Sequence, residues 1–221
     1  MLTIPERKSR LVKRFSDSLE LWEFGPERII DFSYSIYQTY KKVYGGRHAW
    51  ESGYFEFGQI LQEDVELMHH AHFFGITSPD RTILCTGRVY ARSPWILFPL
   101  EKIWDCNVLK IARNARAIYH GGRLTVNKLA LKERGYPGAT SVELFKRVHV
   151  YSMAALRPEP GDAFFGELDE LALRVYRFLG IPTRVLAEPL DYMGSKTYPV
   201  RLAMSDIRPD HWLDDIFTVR D

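Results

Sequence analysis

Tyr119-His120-Gly121-Gly122-Arg123-Leu124-Thr125-Val126 opens the stretch that decides the fold, and Phe145-Lys146-Arg147-Val148 closes it. The first piece reads as an edge-like strand. A turn rich in glycine and charge follows, Lys132-Glu133-Arg134-Gly135-Tyr136-Pro137-Gly138-Ala139, and Ala139-Thr140-Ser141-Val142-Glu143 starts a helix. Thr140 or Ser141 suits the N-cap, because a side-chain oxygen there accepts from free backbone N–H groups. Unpaired amides and the helix dipole converge at such a start, which makes it an anion seat. The turn therefore suits a phosphate-bearing donor, with Gly138 and Ala139 at the seat. Lys132 and Arg134 are either its phosphate contacts or ordinary solvated charges.

A chain of 221 residues with 46% hydrophobic content can bury one substantial core. Thirty basic against 28 acidic residues leave a net charge of +2, so no general field favours nucleic acid. Cys85 and Cys106 lack metal-type spacing and read as free, buried thiols of a reducing compartment. No apolar run approaches the roughly 20 residues that span a bilayer. The basic N-terminus has no apolar h-region, so a soluble, cytoplasmic protein is expected.

Residues 1–25 read as a charged, irregular arm, either loosely docked or a basic contact for an acidic carrier protein. Pro26 then suits the first turn of a helix. Ile29, Phe32, Ile36, Tyr40 and Val43 continue that helix at three- and four-residue spacing, and Gly45-Gly46 ends it. Residues 47–62 carry aromatics without a clean period and read as a long loop. Val65–Ile76 and Thr82–Tyr90 read as a hairpin around Pro79-Asp80. Residues 95–100 read as apolar cover for one end of the sheet, and 101–117 as a short helix. After the break at 157–162 come a strand at 163–168 and a helix at 170–179 with Leu171, Val175, Phe178 and Leu179 inward. Two more strands follow, at 183–188 and 197–204. The order predicts an α/β (α+β) fold whose main domain spans 26–205, with 206–221 as a tail packed on it.

This order resembles the GCN5-related N-acyltransferase fold, a central mixed, mostly antiparallel sheet flanked by helices. Within it the chain looks most like the autoinducer (acyl-homoserine-lactone) synthases and the long-chain N-acyl amino acid synthases. Tyr176-Arg177-Phe178-Leu179-Gly180-Ile181 is similar to the tyrosine-containing helix ending of N-acyltransferases. Cys85-Thr86-Gly87-Arg88-Val89-Tyr90 resembles the autoinducer-synthase strand with an arginine, and His120 to Val126 resembles its Glu-x-x-Arg-Phe-x-Val strand. Glu63 and Glu66 sit where that branch has paired acidic residues. Tyr40-Lys41-Lys42-Val43-Tyr44 with Trp50 resembles its Arg-x-x-Val-Phe and tryptophan segment. There are departures. His120 replaces a glutamate, which argues against a homoserine lactone product. Pro137 occupies the first glycine position of the coenzyme A turn and has no N–H to give a pyrophosphate. A phosphopantetheine arm with a single phosphate tolerates that change better.

The resemblance implies transfer of a fatty acyl group from an acyl-carrier-protein or acyl-CoA thioester to the amine of an amino acid or similar small molecule. The alternatives are an acetyl-CoA-dependent acetyltransferase and a non-catalytic acyl-binding module. Amide formation requires a neutral amine, a polarised carbonyl, a proton for the leaving thiol, and positioning. Leu124 and Val126 are the strand positions whose backbone would run beside the donor arm. Tyr176 would protonate the thiolate, or is a core tyrosine. His120 would accept the amine proton directly or through water, or is structural. Arg88 and Arg123 would hold an acceptor carboxylate, or pair with Glu63, Glu66 or Glu167. Glu63, Glu66 and Trp50 complete the implied acceptor site. His69-His70-Ala71-His72 lacks a third ligand, so no metal is expected.

Overall fold

Secondary structure forms here wherever buried side chains recur at the period of a strand or a helix. The computed structural model describes residues 8–45, 54–137 and 140–203. Its strands are β1 (Arg10–Arg14), β2 (Glu20–Phe24), β3 (Ala71–Thr77), β4 (Ile83–Ala91), β5 (Ile118–Val126), β6 (Ala163–Asp169), β7 (Thr183–Val185), β8 (Leu190–Tyr192) and β9 (Ser195–Ala203). Its helices are α1 (Ile29–Tyr44), α2 (Tyr54–Leu67), α3 (Pro99–Ile103), α4 (Val108–Ile111), α5 (Lys128–Glu133), α6 (Thr140–Leu156) and α7 (Glu170–Phe178). Strand order is β1-β2-β3-β4-β5-β6-β9-β7, with β8 on β9. The β5–β6 ladder is parallel, while those of β1–β2, β2–β3, β6–β9, β7–β9 and β8–β9 are antiparallel. The expected mixed, mostly antiparallel sheet is present.

The chain divides into two compact units. The first takes the described residues of Met1–Lys42, Ser52–Arg88 and Arg123–His149. Its core gathers Leu21 and Phe24 of β2, Phe32 and Ile36 of α1, Phe73, Phe74 and Ile76 of β3, and Leu144 and Val148 of α6. Phe32 meets Phe24 and Phe73 edge-on at 6.2 and 5.1 Å between centroids, the geometry that the ring quadrupole favours. Phe24 also lies close to Gly75, where an added Cβ would come within 2.4 Å of the ring. The second unit takes the described residues of Val43–Glu51, Val89–Gly122 and Val150–Asp221. There Tyr90, Phe98, Leu100, Phe164, Phe165, Leu173, Tyr176, Val200 and Leu202 are buried together with His120.

Several sequence readings are corrected. Residues 10–24, read as irregular, form β1 and β2, with Arg10 and Glu23 as ladder partners. Charges at Arg10, Lys13 and Arg14 of β1 and at Glu20 and Glu23 of β2 break the alternation that marks a strand, and those of β1 also blunt a sheet edge. The aromatic loop read at 47–62 is helical from Tyr54, and the strand read from Val65 begins only at Ala71. The inward positions of α2 are Ile60, Asp64 and Leu67, so a carboxylate breaks its apolar stripe. On α1, Tyr44 is buried and Val43 is exposed. On α7 the buried face is Leu173 and Tyr176, whereas Leu171 and Phe178 lie outside, Phe178 with 83% of its surface exposed. Asp169 sets that phase by capping α7, its Oδ1 accepting from Ala172 N at 2.6 Å. Of the apolar run at 95–100, Phe98 and Leu100 are buried and Trp95 is exposed. The tail at 206–221 lies outside the described residues.

Phe32→Ala should lower the unfolding free energy by about 3–5 kcal/mol, read by denaturant titration. His149 on α6 stacks on Phe145 at 6.2 Å, and burial pushes its imidazole down from 6.5 to about 4. The unfolded chain therefore binds this proton first as acid is added. The stability that His149 contributes is complete above pH 6.5 and is lost as pH falls towards about 4. His149→Phe should flatten the stability curve across that window.

Candidate functional site

In the first unit the site is built on Asp64. The helical phase of α2 turns this carboxylate inward, where its side chain is 0% exposed. A buried charge is tolerated only with opposite charge and hydrogen bonds around it. Ser33 of α1 donates to Oδ2 at 2.8 Å, and Arg88 of β4 donates to Oδ1 at 2.5 Å. Arg123 of β5 brings its Nε within 3.5 Å of Oδ1. Glu63, the preceding residue, accepts from the same two arginines, from Arg88 at 2.6 Å and from Arg123 at 2.7 Å. Two guanidinium groups and two carboxylates therefore balance. Both arginine side chains and Asp64 are almost wholly enclosed, while Glu63 keeps 27% of its side-chain surface exposed.

Arg123 also has an unusual backbone, with φ at 56° in the left-handed region. A non-glycine residue held there inside a strand is strained and persists only when its surroundings over-determine it. Thr86 does part of this, its hydroxyl donating to the Arg123 carbonyl at 2.8 Å and lying 2.7 Å from the Thr125 hydroxyl. The distortion falls at the arginine that joins β5 to α2.

The second unit holds His120, also on β5. Its ring is 0% exposed, and Nε2 lies 2.9 Å from Oε2 of Glu167 on β6. The other oxygen of Glu167 accepts from Leu100 N at 2.9 Å. Tyr90 and Phe98 enclose the imidazole at 4.9 and 5.0 Å between centroids. The parallel ladder runs from Ile118–Ala163 to Gly121–Gly166 and ends there, although β5 continues to Val126 and β6 to Asp169. Both glycines stand at close approaches, Gly166 against backbone and Gly121 against a side chain. A Cβ on Gly166 would stand 2.8 Å from the Gly121 carbonyl oxygen, and one on Gly121 would stand 2.4 Å from the Phe164 ring. Tyr176 is buried on α7, and burial raises its phenol above the ordinary tyrosine range, so it stays protonated at neutral pH. Tyr44 donates to Asp169 Oδ2, which ties the end of α1 to the cap of α7.

The structure brings Arg88, Arg123 and Glu63 together and leaves Glu66 apart, on the exposed side of α2 accepting from Gln62 at 3.0 Å. Leu124 and Val126 lie half-buried on β5. Lys132 is exposed near the end of α5, and Arg134 just after it donates to Asp80 at 2.7 Å. The guanidinium of Arg134, and then the Ser78 hydroxyl, hold the Asp80 carboxyl well below the usual carboxylate range. Trp50, Gly138 and Ala139 lie outside the described residues. His72 pairs with Glu23 at 2.7 Å, while His69 and His70 are exposed in the turn before β3. Among the described residues no group of three His, Cys, Asp or Glu side chains could hold a metal ion. Sequence reasoning missed Asp64 and Ser33. The one available signal was the spacing of Asp64, four residues after Ile60 and three before Leu67, which puts it on the helix face those two define. Asp64→Asn should destabilise the fold by about 3–5 kcal/mol, because it strips a buried pair of one partner. Glu66→Gln should stay within about 0.5 kcal/mol in the same unfolding measurement.

No protein-family profile and no curated protein matches this sequence. Solved structures do. FeeM, an N-acyl amino acid synthase from uncultured soil microbes, superposes with a TM-score of 0.59 at 11% identity, covering 90% of this chain and 92% of that one. BjaI, a CoA-dependent acyl-homoserine lactone synthase solved with SAM and isopentyl-CoA, gives 0.54 at 12% identity over 86% and 83%. A GNAT-family acetyltransferase from Staphylococcus aureus Mu50 gives 0.53 at 8% identity over 84% and 99%. What these proteins share with this chain is architecture, and the chain has the GCN5-related N-acyltransferase fold.

Proposed function

We propose that this protein is an N-acyltransferase that moves a fatty acyl group from a phosphopantetheine thioester, on coenzyme A or on an acyl carrier protein, to the amine of an amino acid or similar small molecule. The observation that carries the proposal is the neutral cluster of Arg88, Arg123, Glu63 and Asp64, whose one partly exposed member is a carboxylate. Arg88 and Arg123 are already engaged by these two acids, which orients Glu63 to receive an ammonium group. A substrate carboxylate would have to compete with Glu63 and Asp64 for the same guanidinium donors. Acceptor recognition is assigned to Glu63, Arg88 and Arg123, with Trp50 as a further acceptor contact.

The remaining roles follow the requirements of the reaction. The amine must lose a proton before or during attack on the thioester carbonyl, and His120 is the proton acceptor in this reading. The leaving thiolate must gain one, and the protonated phenol of Tyr176 is the donor. Backbone N–H groups of β5 at Leu124 and Val126 would bind the donor arm and its developing oxyanion. Lys132 and Arg134, with Gly138 and Ala139, would receive its phosphate; for Arg134 this means exchanging Asp80 for the ligand.

The test is incubation of the purified protein with acyl-CoA or acyl carrier protein of graded chain length and a panel of amines, with mass spectrometry of the products. The expected result is an N-acyl amino acid, with one free thiol released for each amide formed. Acetylated amines as the sole products would instead support an acetyltransferase, and donor binding without turnover would support a binding module. Glu63→Gln should raise KM for the amine roughly tenfold, as expected for loss of a charged hydrogen bond, with a smaller effect on kcat.

A further inference from the structure

In the second unit a buried ring nitrogen lies beside a fully engaged carboxylate. His120 Nδ1 has no hydrogen-bond partner among the described residues, although the ring is wholly buried. Such groups are rare in native proteins and ask for an explanation. Glu167 supplies the constraint. As a carboxylate it only accepts, taking Leu100 N–H on Oε1, so the short contact of Oε2 with Nε2 requires the proton to be on Nε2. In the neutral ring the lone pair then resides on Nδ1.

We propose that Glu167 is a positioning residue, which fixes His120 in the Nε2–H tautomer and leaves Nδ1 bare as the proton acceptor of the acyl-transfer step. This rests on the acyltransferase reading above. In the step, the amine nitrogen forms a bond to the thioester carbonyl carbon and the carbon–sulfur bond breaks. The proton released by the amine passes to Nδ1, through a water because the ring is wholly buried, and the leaving thiolate takes its proton from the Tyr176 phenol, which regains one from the imidazolium through solvent. Protons and electrons balance without any further reactant. The imidazolium so formed is held by the negative charge of Glu167.

Among the described residues, the other groups in contact with the ring and with the carboxylate carry no charge. Tyr90 of β4 and Phe98 face the ring, and the Leu100 amide of α3 faces the carboxylate. Cys106 lies within electrostatic reach of Glu167, and its thiol is pushed up chiefly by burial and then by Asp105 and Glu167, so it remains neutral.

The test combines nitrogen NMR of the His120 ring in the resting protein with pH profiles of kcat/KM for the wild type, Glu167→Gln and Glu167→Asp. We expect a bare Nδ1 in the wild type and a tautomer mixture in Glu167→Gln. The ascending limb of the Glu167→Gln profile should differ from that of the wild type, because the imidazolium formed in the step loses its counter-charge, and its rate should fall about tenfold or more. Glu167→Asp keeps the charge and should retain the wild-type limb, which also covers the case in which Glu167→Gln fails to fold. A proton on Nδ1 in the resting wild type overturns the proposal, and so does a charge-neutral variant with the wild-type profile. A wild type that acylates no amine sinks the acyltransferase reading and with it the proton-acceptor role. The NMR result then still decides whether Glu167 sets the tautomer.

Discussion

A single buried carboxylate constrains the first unit more than any apolar contact does. Asp64 gains nothing from burial by itself, since an unpaired charge in an apolar setting is strongly unfavourable. It is kept there by Ser33 from α1, Arg88 from β4 and Arg123 from β5, so those elements must be correctly registered before the charge is satisfied. Apolar side chains such as Phe32 and Phe73 fill space and tolerate small shifts. The ion pairs do not, because their hydrogen bonds weaken steeply with distance and angle. The hydrophobic layer gives most of the stability, and the charged layer selects one arrangement from those that bury similar area.

That division explains what could be read from the amino-acid order. Strand β4, the strand–helix pair of β5 and α6, and the ends of α1 and α7 follow ordinary periods and stop signals, and they stand close to where those signals put them. Helix α2 did not announce itself, because the residue midway between Ile60 and Leu67 on its inward face is Asp64. The same acid that organises the cluster erases the apolar stripe used to find the helix. Strands β1 and β2 were obscured by Arg10, Lys13, Glu20 and Glu23, whose charges mimic an arm, although only β1 of the two is an edge strand. On α7, the distinction between Leu171 outside and Leu173 inside depends on the cap at Asp169 and was invisible to residue type alone.

Site residues followed the same rule. Arg88, Arg123 and Glu63 were recognisable as a charged set, but their specific partners were not, since either arginine could have met Glu66 or Glu167 equally well on paper. The partner of His120 arises from the parallel ladder of β5 and β6, in which Gly121 and Gly166 bring the backbones close. Pairings of this kind depend on register between segments more than 40 residues apart, as the separation of 47 between His120 and Glu167 illustrates. Local pattern carries no record of that register.

The discontinuity of the two units has a consequence for synthesis on the ribosome. The first unit has all of its segments once His149 has emerged, whereas Val89–Gly122 of the second must wait for Val150 and beyond. During that interval the start of β5, including Tyr119 and His120, lacks its β6 partners Phe164 and Phe165. Non-local parallel pairing of this sort is slow, because loop-closure entropy is spent before contacts repay it. An unpaired strand edge flanked by Tyr90 and Phe98 is a site for wrong association in the nascent chain. The seventeen residues of α6, which lie between the two strands, therefore set a delay as well as a distance.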